Sequence, residues 1–242
     1  MTTLHYVTYV THKAGTFDKL INNEYNLKID VIGWGQKWNG LMDKIVGYLN
    51  YCKQRSNDDV VVFLDGFDTI INKDPAQVLP LFKSLNCDIL VSYDNKRAKI
   101  IDYFVRRIYG SCKNGLTANS GMIMGYVKNL KPLFQYILDT KERDDQVGFN
   151  MYCRNNPIAN LKIDTDTIIF ENISKLREPT AVFLSFPSGW GPGGLSMGYK
   201  LNRIYRGMFQ DGYIIKLLPE IVLLLIIIYY LKGLIVKITK KK

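Results

Sequence analysis

Asp58-Asp-Val-Val-Val-Phe-Leu-Asp-Gly-Phe-Asp-Thr-Ile-Ile71 runs an unbroken apolar stretch into two carboxylates, and the rest of the chain is read outward from it. Val60 to Leu64 is β-branched and aromatic without polar alternation, the pattern of a strand buried on both faces of a parallel sheet. Asp65 stands at its C-terminal end, the edge at which open α/β sheets bind ligands. A three-residue separation in a tight turn brings Asp65 and Asp68 to about 5 to 6 Å at Cβ. Hard cations such as Mn²⁺ or Mg²⁺ take one or two such carboxylates and fill their remaining positions with phosphate oxygens. Asp-x-x-Asp after a buried strand therefore suits a metal-bound nucleotide diphosphate. The same residues have a plainer use, because Asp-Gly is a turn signal and Asp68 can cap a helix.

The chain has 242 residues and 47% apolar composition, enough for a large α/β core. Its net charge of +10 is unevenly placed. Residues 216–242 hold six Lys and one Glu, and the remaining excess is scattered through mixed-sign segments without a basic stripe. Nucleic acid is therefore not expected as a partner, whereas a small anionic substrate is. Cys52, Cys87, Cys112 and Cys153 are far apart without a C-x-x-C, and His5 and His12 are the only histidines, so a zinc site is not expected. The disulfide state stays open. Met1-Thr-Thr-Leu-His enters the first strand without a basic region and apolar run, so no signal peptide is read there. Asn172-Ile-Ser174 is a glycosylation tripeptide that occurs easily by chance.

Strands are expected over Leu4–Thr11, Leu27–Ile32, Asp88–Tyr93 and Phe183–Phe186, with helices over Thr16–Asn22, Leu41–Gln54 and Pro75–Leu85. The fold class expected is α/β, a Rossmann-like mixed, mostly parallel sheet flanked by helices, plus a C-terminal hydrophobic helix. Gly33-Trp34-Gly35-Gln36 fits neither a Walker loop nor a dinucleotide fingerprint, and Trp34 or Trp38 either stacks on a base or sugar or packs on the sheet rim. Lys96–Gly115 is basic and aromatic and stays unassigned. Asn119, Ser120 and Gly121 read as a polar turn ahead of a short apolar strand, where small donors approach a ligand closely. A helix over Lys131–Thr140 leads to Asp144-Asp-Gln146 and a further helix over Val147–Arg154. Asp144 and Asp145 either cap that helix or face a reacting sugar. Leu161–Phe170 reads as a late strand carrying Asp164 and Asp166, and Ser188-Gly-Trp-Gly-Pro-Gly-Gly194, including Gly191, as a loop suited to close over a ligand.

Asp65-Gly-Phe-Asp68, Asn119-Ser-Gly121, Asp144-Asp-Gln146 and the Gly-Pro loop near residue 191, in this order and spacing, resemble the glycosyltransferase domain of the procollagen lysyl hydroxylases and related collagen glycosyltransferases. The resemblance covers about 200 residues and includes Gly33-Trp-Gly-Gln36 and Lys44. It implies a GT-A type fold and hexose transfer from a UDP-sugar, UDP-glucose or UDP-galactose, with Mn²⁺ or Mg²⁺. It implies metal binding by Asp65 and Asp68, donor contacts from Trp34, Lys44, Asp65, Asn119, Ser120 and Gly191, and catalytic roles for Asp144 and Asp145. Where the family's late loop supplies a metal-binding His, this chain has Ser188. The acceptor would be a hydroxyl of a collagen-like protein, such as hydroxylysine, of a glycan or of a lipid. Two other classes use the same residues: a nucleotidyltransferase, and a sugar-nucleotide-binding module without turnover.

The domain is expected over residues 1–213, followed by a hydrophobic, Lys-terminated tail over 214–242. Ile221–Leu231 is an uninterrupted apolar run of 11 residues, short for a bilayer. The tail is nevertheless read as a membrane attachment, single-pass or peripheral, with its lysines suited to an anionic surface.

Overall fold

The computed structural model describes residues 2–94, 99–112, 114–156, 160–173, 178–187 and 197–239. A six-stranded sheet forms the centre, from β1 (Leu4–Tyr9), β2 (Asp30–Ile32), β3 (Val60–Asp65), β5 (Ile89–Tyr93), β6 (Ala118–Tyr126) and β7 (Leu161–Asp164), in the order β2-β1-β3-β6-β5-β7. A three-stranded sheet beside it contains β4 (Thr69–Ile71), β8 (Phe170–Asn172) and β9 (Phe183–Ser185). Helices α1 (Phe17–Ile21), α2 (Leu41–Lys53), α3 (Val78–Ser84), α4 (Lys99–Tyr109), α5 (Val127–Asp139) and α6 (Asp145–Asn155) flank the sheets. The C-terminal stretch adds α7 (Met197–Tyr205), α8 (Tyr213–Lys216) and α9 (Leu218–Thr239).

The apolar run of β3 lies in the middle of the large sheet. Every side chain from Val60 to Leu64 is fully buried, and the two faces feed two cores. Val61 and Phe63 pack with Tyr48 of α2 and Phe134 of α5, while Val60, Val62 and Leu64 pack with Val78 and Phe82 on the α3 side. Full burial of each such side chain contributes about 1.5 to 3 kcal/mol, so this strand can move only with the whole core.

The sheet is mixed rather than wholly parallel. β1 pairs in parallel with β2 and β3, and β5 with β7, but β6 runs antiparallel between β3 and β5. The reversal has a consequence for function: the start of β6 lies at the same edge as the ends of β3 and β5. Its register also jumps, from Val91↔Ile123 to Ser92↔Asn119, which lifts Ser120–Met122 out of ladder pairing with β5. The stretch read as a polar turn is therefore a bulged part of the strand itself. Residues 161–170 likewise divide into β7 and β8, and α4 occupies the stretch left unassigned.

The expected single-pass membrane span is overturned. No helix among the described residues is long and apolar enough to cross a membrane. Although α9 has 22 residues, Pro219, Glu220, Lys232 and Gly233 confine its uninterrupted apolar run to 11. That run rises only about 16 Å, against a hydrocarbon thickness of about 30 Å.

Candidate active site

Pairing brings the site residues to one sheet edge. Leu64 faces Met122 across the β3–β6 ladder, so Asp65 comes next to Gly121, whose missing side chain leaves space between two polar groups. A Cβ at Gly121 would sit 2.9 Å from Asn119 Oδ1 and 3.7 Å from Asp65 Oδ2. Asn119 is held in place by its own carboxamide, which accepts from Gly121 N–H at 2.8 Å, and by Ser92 Oγ donating to its carbonyl at 3.1 Å. Ser120 alternates to the buried side of the strand.

The turn after Asp65 is braced on all sides. Gly66 is required by close approach, since a Cβ there would meet Val10 Cγ1 at 2.2 Å and Thr8 Oγ1 at 2.6 Å. Phe67 O accepts from Thr16 N–H at 3.0 Å, Asp68 O from Phe186 N–H at 2.8 Å, and Thr69 O from Thr16 Oγ1 at 2.9 Å. Asp68 is buried, and Ser185 Oγ donates to its Oδ1 at 3.1 Å. Asp68 is thus tied to the small sheet through β9, whereas Asp65 stays about one-third exposed at the edge of the large one.

Lys44 and Asp145 form the electrostatic centre. The Lys44 stem runs through the core from the first turn of α2, leaving the residue 5% exposed, and its ammonium reaches Asp145 Oδ2 at 2.6 Å and Asp65 Oδ2 at 4.0 Å. Burial alone would push this ammonium down, yet the two carboxylates hold it above its ordinary value. Asp145 is 2% exposed and also accepts from Gln146 N–H at 3.0 Å.

Asp144 caps α6: its Oδ1 accepts from Gln146 N–H at 2.8 Å and Val147 N–H at 3.3 Å. The capping role read from sequence is therefore real, and it coexists with a perturbed acid. Burial, then the charge of Asp145, raise the Asp144 carboxyl to about 6, against the pull of a hydrogen bond from Tyr213 and the two cap N–H groups. Gln146 Nε2 extends the cluster by donating to the buried Asp94 Oδ2 at 2.8 Å. Asn150, fully buried one turn later, accepts from Ala118 N–H at 2.9 Å and donates to Ala118 O at 3.1 Å, tying α6 to the strand that carries Asn119.

The edge therefore joins Asp65, Lys44 and Asp145 directly, with Asp144 beside Asp145 and Asn119 beside Asp65. Trp34 is not part of that cluster. It is 55% exposed and stacks on Phe17 at 5.4 Å between ring centroids. Asp164 is structural, its buried carboxylate accepting from the N–H groups of Ile168, Ile169 and Phe170 at 2.8 to 2.9 Å. Gly191 and Ser188 lie outside the described residues. The sequence reading missed Tyr213, which contacts Asp144, and left open the Cys112–Cys153 disulfide that links the loop after α4 to α6. Only Gly212, with φ +76° just ahead of α8, marked the turn that delivers Tyr213.

Asp65 and Asp68 offer hard carboxylate oxygens of the type Mn²⁺ and Mg²⁺ prefer, and no group of three His, Cys, Asp or Glu ligands occurs among the described residues. Such a set fits a cation whose coordination is completed by substrate and water, and does not fit a self-contained protein cage.

Fold and site together define an α/β domain whose sheet edge gathers several carboxylates around the buried Lys44. The family model described as the PLOD GT domain matches residues 1–187, and the chain belongs to that family. The multifunctional procollagen lysine hydroxylase and glycosyltransferase of Caenorhabditis elegans is 22% identical over 193 residues, covering 71% of this chain and 26% of that protein. Procollagen-lysine,2-oxoglutarate 5-dioxygenase 1 of Gallus gallus is 25% identical over 167 residues, covering 62% of this chain and 22% of that protein. The chain thus spans about a quarter of the length of these curated relatives. Among solved structures, the crystal structure of A197 from STIV overlaps 54% of this chain and 68% of its own, at 13% identity and a TM-score of 0.35.

Proposed function

We propose that this chain is a metal-dependent glycosyltransferase of the GT-A type, moving glucose or galactose from a UDP-sugar to a hydroxyl of a collagen-like protein or a glycan. The observation that carries the reading is the buried Lys44 ammonium shared between Asp145 and Asp65 at the carboxyl edge of the sheet, inside the stretch that matches the family.

In this reading Asp65 and Asp68 hold Mn²⁺ or Mg²⁺ against the donor diphosphate. The bound cation would neutralise charge developing on the departing UDP. Lys44 fixes the Asp65 and Asp145 carboxylates relative to each other, so the edge is preorganised before the donor arrives. Asn119 turns its carboxamide toward the space over Gly121, where the sugar would lie. Both oxygens of Asp144 accept hydrogen bonds and Asp145 is committed to an ion pair. The pair therefore supplies negative potential and orients the acceptor hydroxyl rather than attacking the sugar.

The test is UDP release from UDP-glucose and UDP-galactose with and without Mn²⁺. Release that depends on the metal supports the reading. Pyrophosphate release from a nucleoside triphosphate would replace it with nucleotidyl transfer, and absence of both with a binding module.

A further inference from the structure

The family match ends at residue 187, yet a residue beyond it reaches the centre of the site. Tyr213, the first residue of α8, donates its phenolic hydrogen to Asp144 Oδ2. The approach is fixed from several sides. Arg143 Nη1 donates to Gln210 O at 2.9 Å, and Lys216 Nζ donates to Ile108 O at 2.9 Å. Arg107 grips the same segment twice, through Lys216 O at 3.0 Å and Glu220 Oε1 at 2.8 Å. Gly207 makes room for the phenol, because a Cβ there would lie 2.7 Å from Tyr213 Cε2. The Tyr109 ring closes the other side at 5.6 Å, edge to face. This is a packed ring in a built socket, not a surface side chain that happens to reach inward.

We propose that Tyr213 is a positioning residue of the transfer site, delivered by residues 206–220 acting as a strap that completes the site from outside the family's span. The proposal rests on the glycosyltransferase reading above. Oδ1 of Asp144 is already committed to the cap of α6, so the carboxylate plane is set by whatever holds Oδ2. Tyr213 holds it, and a plane fixed at both oxygens points the same way in every turnover. The phenol acts as a donor throughout, since burial and the Asp144 charge hold its own ionisation well above the ordinary range. The charged and titratable groups around this contact are Asp145 with Lys44 on the helix side, Tyr109 behind the phenol, Arg206, Asp211 and Lys216 on the strap, and Arg143 against it.

Tyr213→Phe keeps the ring in its socket and removes only the donor, so the full-length variant isolates the hydrogen bond. Two readouts apply: steady-state UDP release from UDP-glucose or UDP-galactose with Mn²⁺, and titration of the Asp144 carboxyl carbon by NMR, which needs no turnover. The expected result is a kcat lowered about tenfold or more with donor KM and melting temperature nearly unchanged, and an Asp144 titration moved to higher pH. Wild-type kcat with an unmoved Asp144 titration overturns the proposal. So does a loss of activity that only follows a loss of melting temperature. If the wild-type chain releases no UDP from either donor, the functional reading fails instead, and the carboxyl titration decides the contact by itself.

Discussion

Replacing Lys44 by methionine leaves Asp145, 2% exposed, without its cation. At an effective dielectric of 20, the 2.6 Å separation corresponds to about 6 kcal/mol of attraction, and the 4.0 Å separation from Asp65 to about 4 kcal/mol. Desolvation of the ammonium and of Asp145 offsets much of this, so the intact pair contributes far less than the sum. Breaking it is different, because a buried carboxylate is then left uncompensated, at a cost of about 3 to 5 kcal/mol. For a domain of this size that loss lowers the melting temperature by roughly 6 to 20 °C. Lys44→Met, Asp145→Asn and the double variant form a cycle that separates pairing from packing. The expected coupling is about 2 kcal/mol or more, with the double variant more stable than the two single losses added together. Denaturant melts at pH 7 measure all four proteins. A Lys44→Met protein within about 1 kcal/mol of wild type, or strictly additive losses, would refute the buried ion pair as the organising contact of the site.

Asp144→Asn is expected to stabilise the fold at neutral pH while lowering turnover. The carboxyl rises from 3.8 to about 6 on folding, so the folded state holds the extra proton between those values and stability falls as pH rises through them. The difference is worth about 2 to 3 kcal/mol. Melts at pH 4 and pH 7 should show the variant's advantage at the higher pH only. Gly121→Ala brings a methyl group to 2.9 Å from Asn119 Oδ1, at the mouth of the site. Turnover should fall about tenfold while stability changes by less than about 1 kcal/mol. Gly66→Ala is the contrast: its methyl meets Val10 Cγ1 at 2.2 Å inside the fold. A stability loss of about 1 to 3 kcal/mol should appear in thermal melts.

How much could be read beforehand differs from residue to residue. Val60 to Leu64 was legible because a strand buried on both faces must be apolar at every position, and Asp65 followed from its end. Asp144 was legible as a cap because capping is local chemistry. The reversed direction of β6 was not, since strand orientation is settled by tertiary pairing and the run from Ala118 to Tyr126 is equally apolar read either way. Its bulge hid behind the same residues that suggest a turn. α4 was left unassigned because its apolar residues are mixed with basic ones and several, among them Ile100, Ile101 and Tyr103, stay exposed, so that of its described residues only Val105 is buried. The pairing of Lys44 with Asp145 joins two helices far apart in the chain, and Tyr213 reaches Asp144 from a segment with no motif of its own. Contacts of this kind leave no local signature. The tail shows the opposite error: a Leu- and Ile-rich composition was weighed above an apolar run already short for a bilayer, and no helix among the described residues is long and apolar enough to cross one.

UDP release from UDP-glucose and UDP-galactose by the wild-type chain and by Asp65→Ala, each with Mn²⁺, with Mg²⁺ and with chelator, tests the account most directly. Wild type should turn over at least one donor only when the cation is present, and Asp65→Ala should lose that turnover while staying folded, with a melting temperature lowered less than that of Lys44→Met, because this carboxylate is partly exposed at the sheet edge and the 2.6 Å pair of Lys44 with Asp145 remains. Release that ignores the chelator, or full activity in Asp65→Ala, would contradict the account.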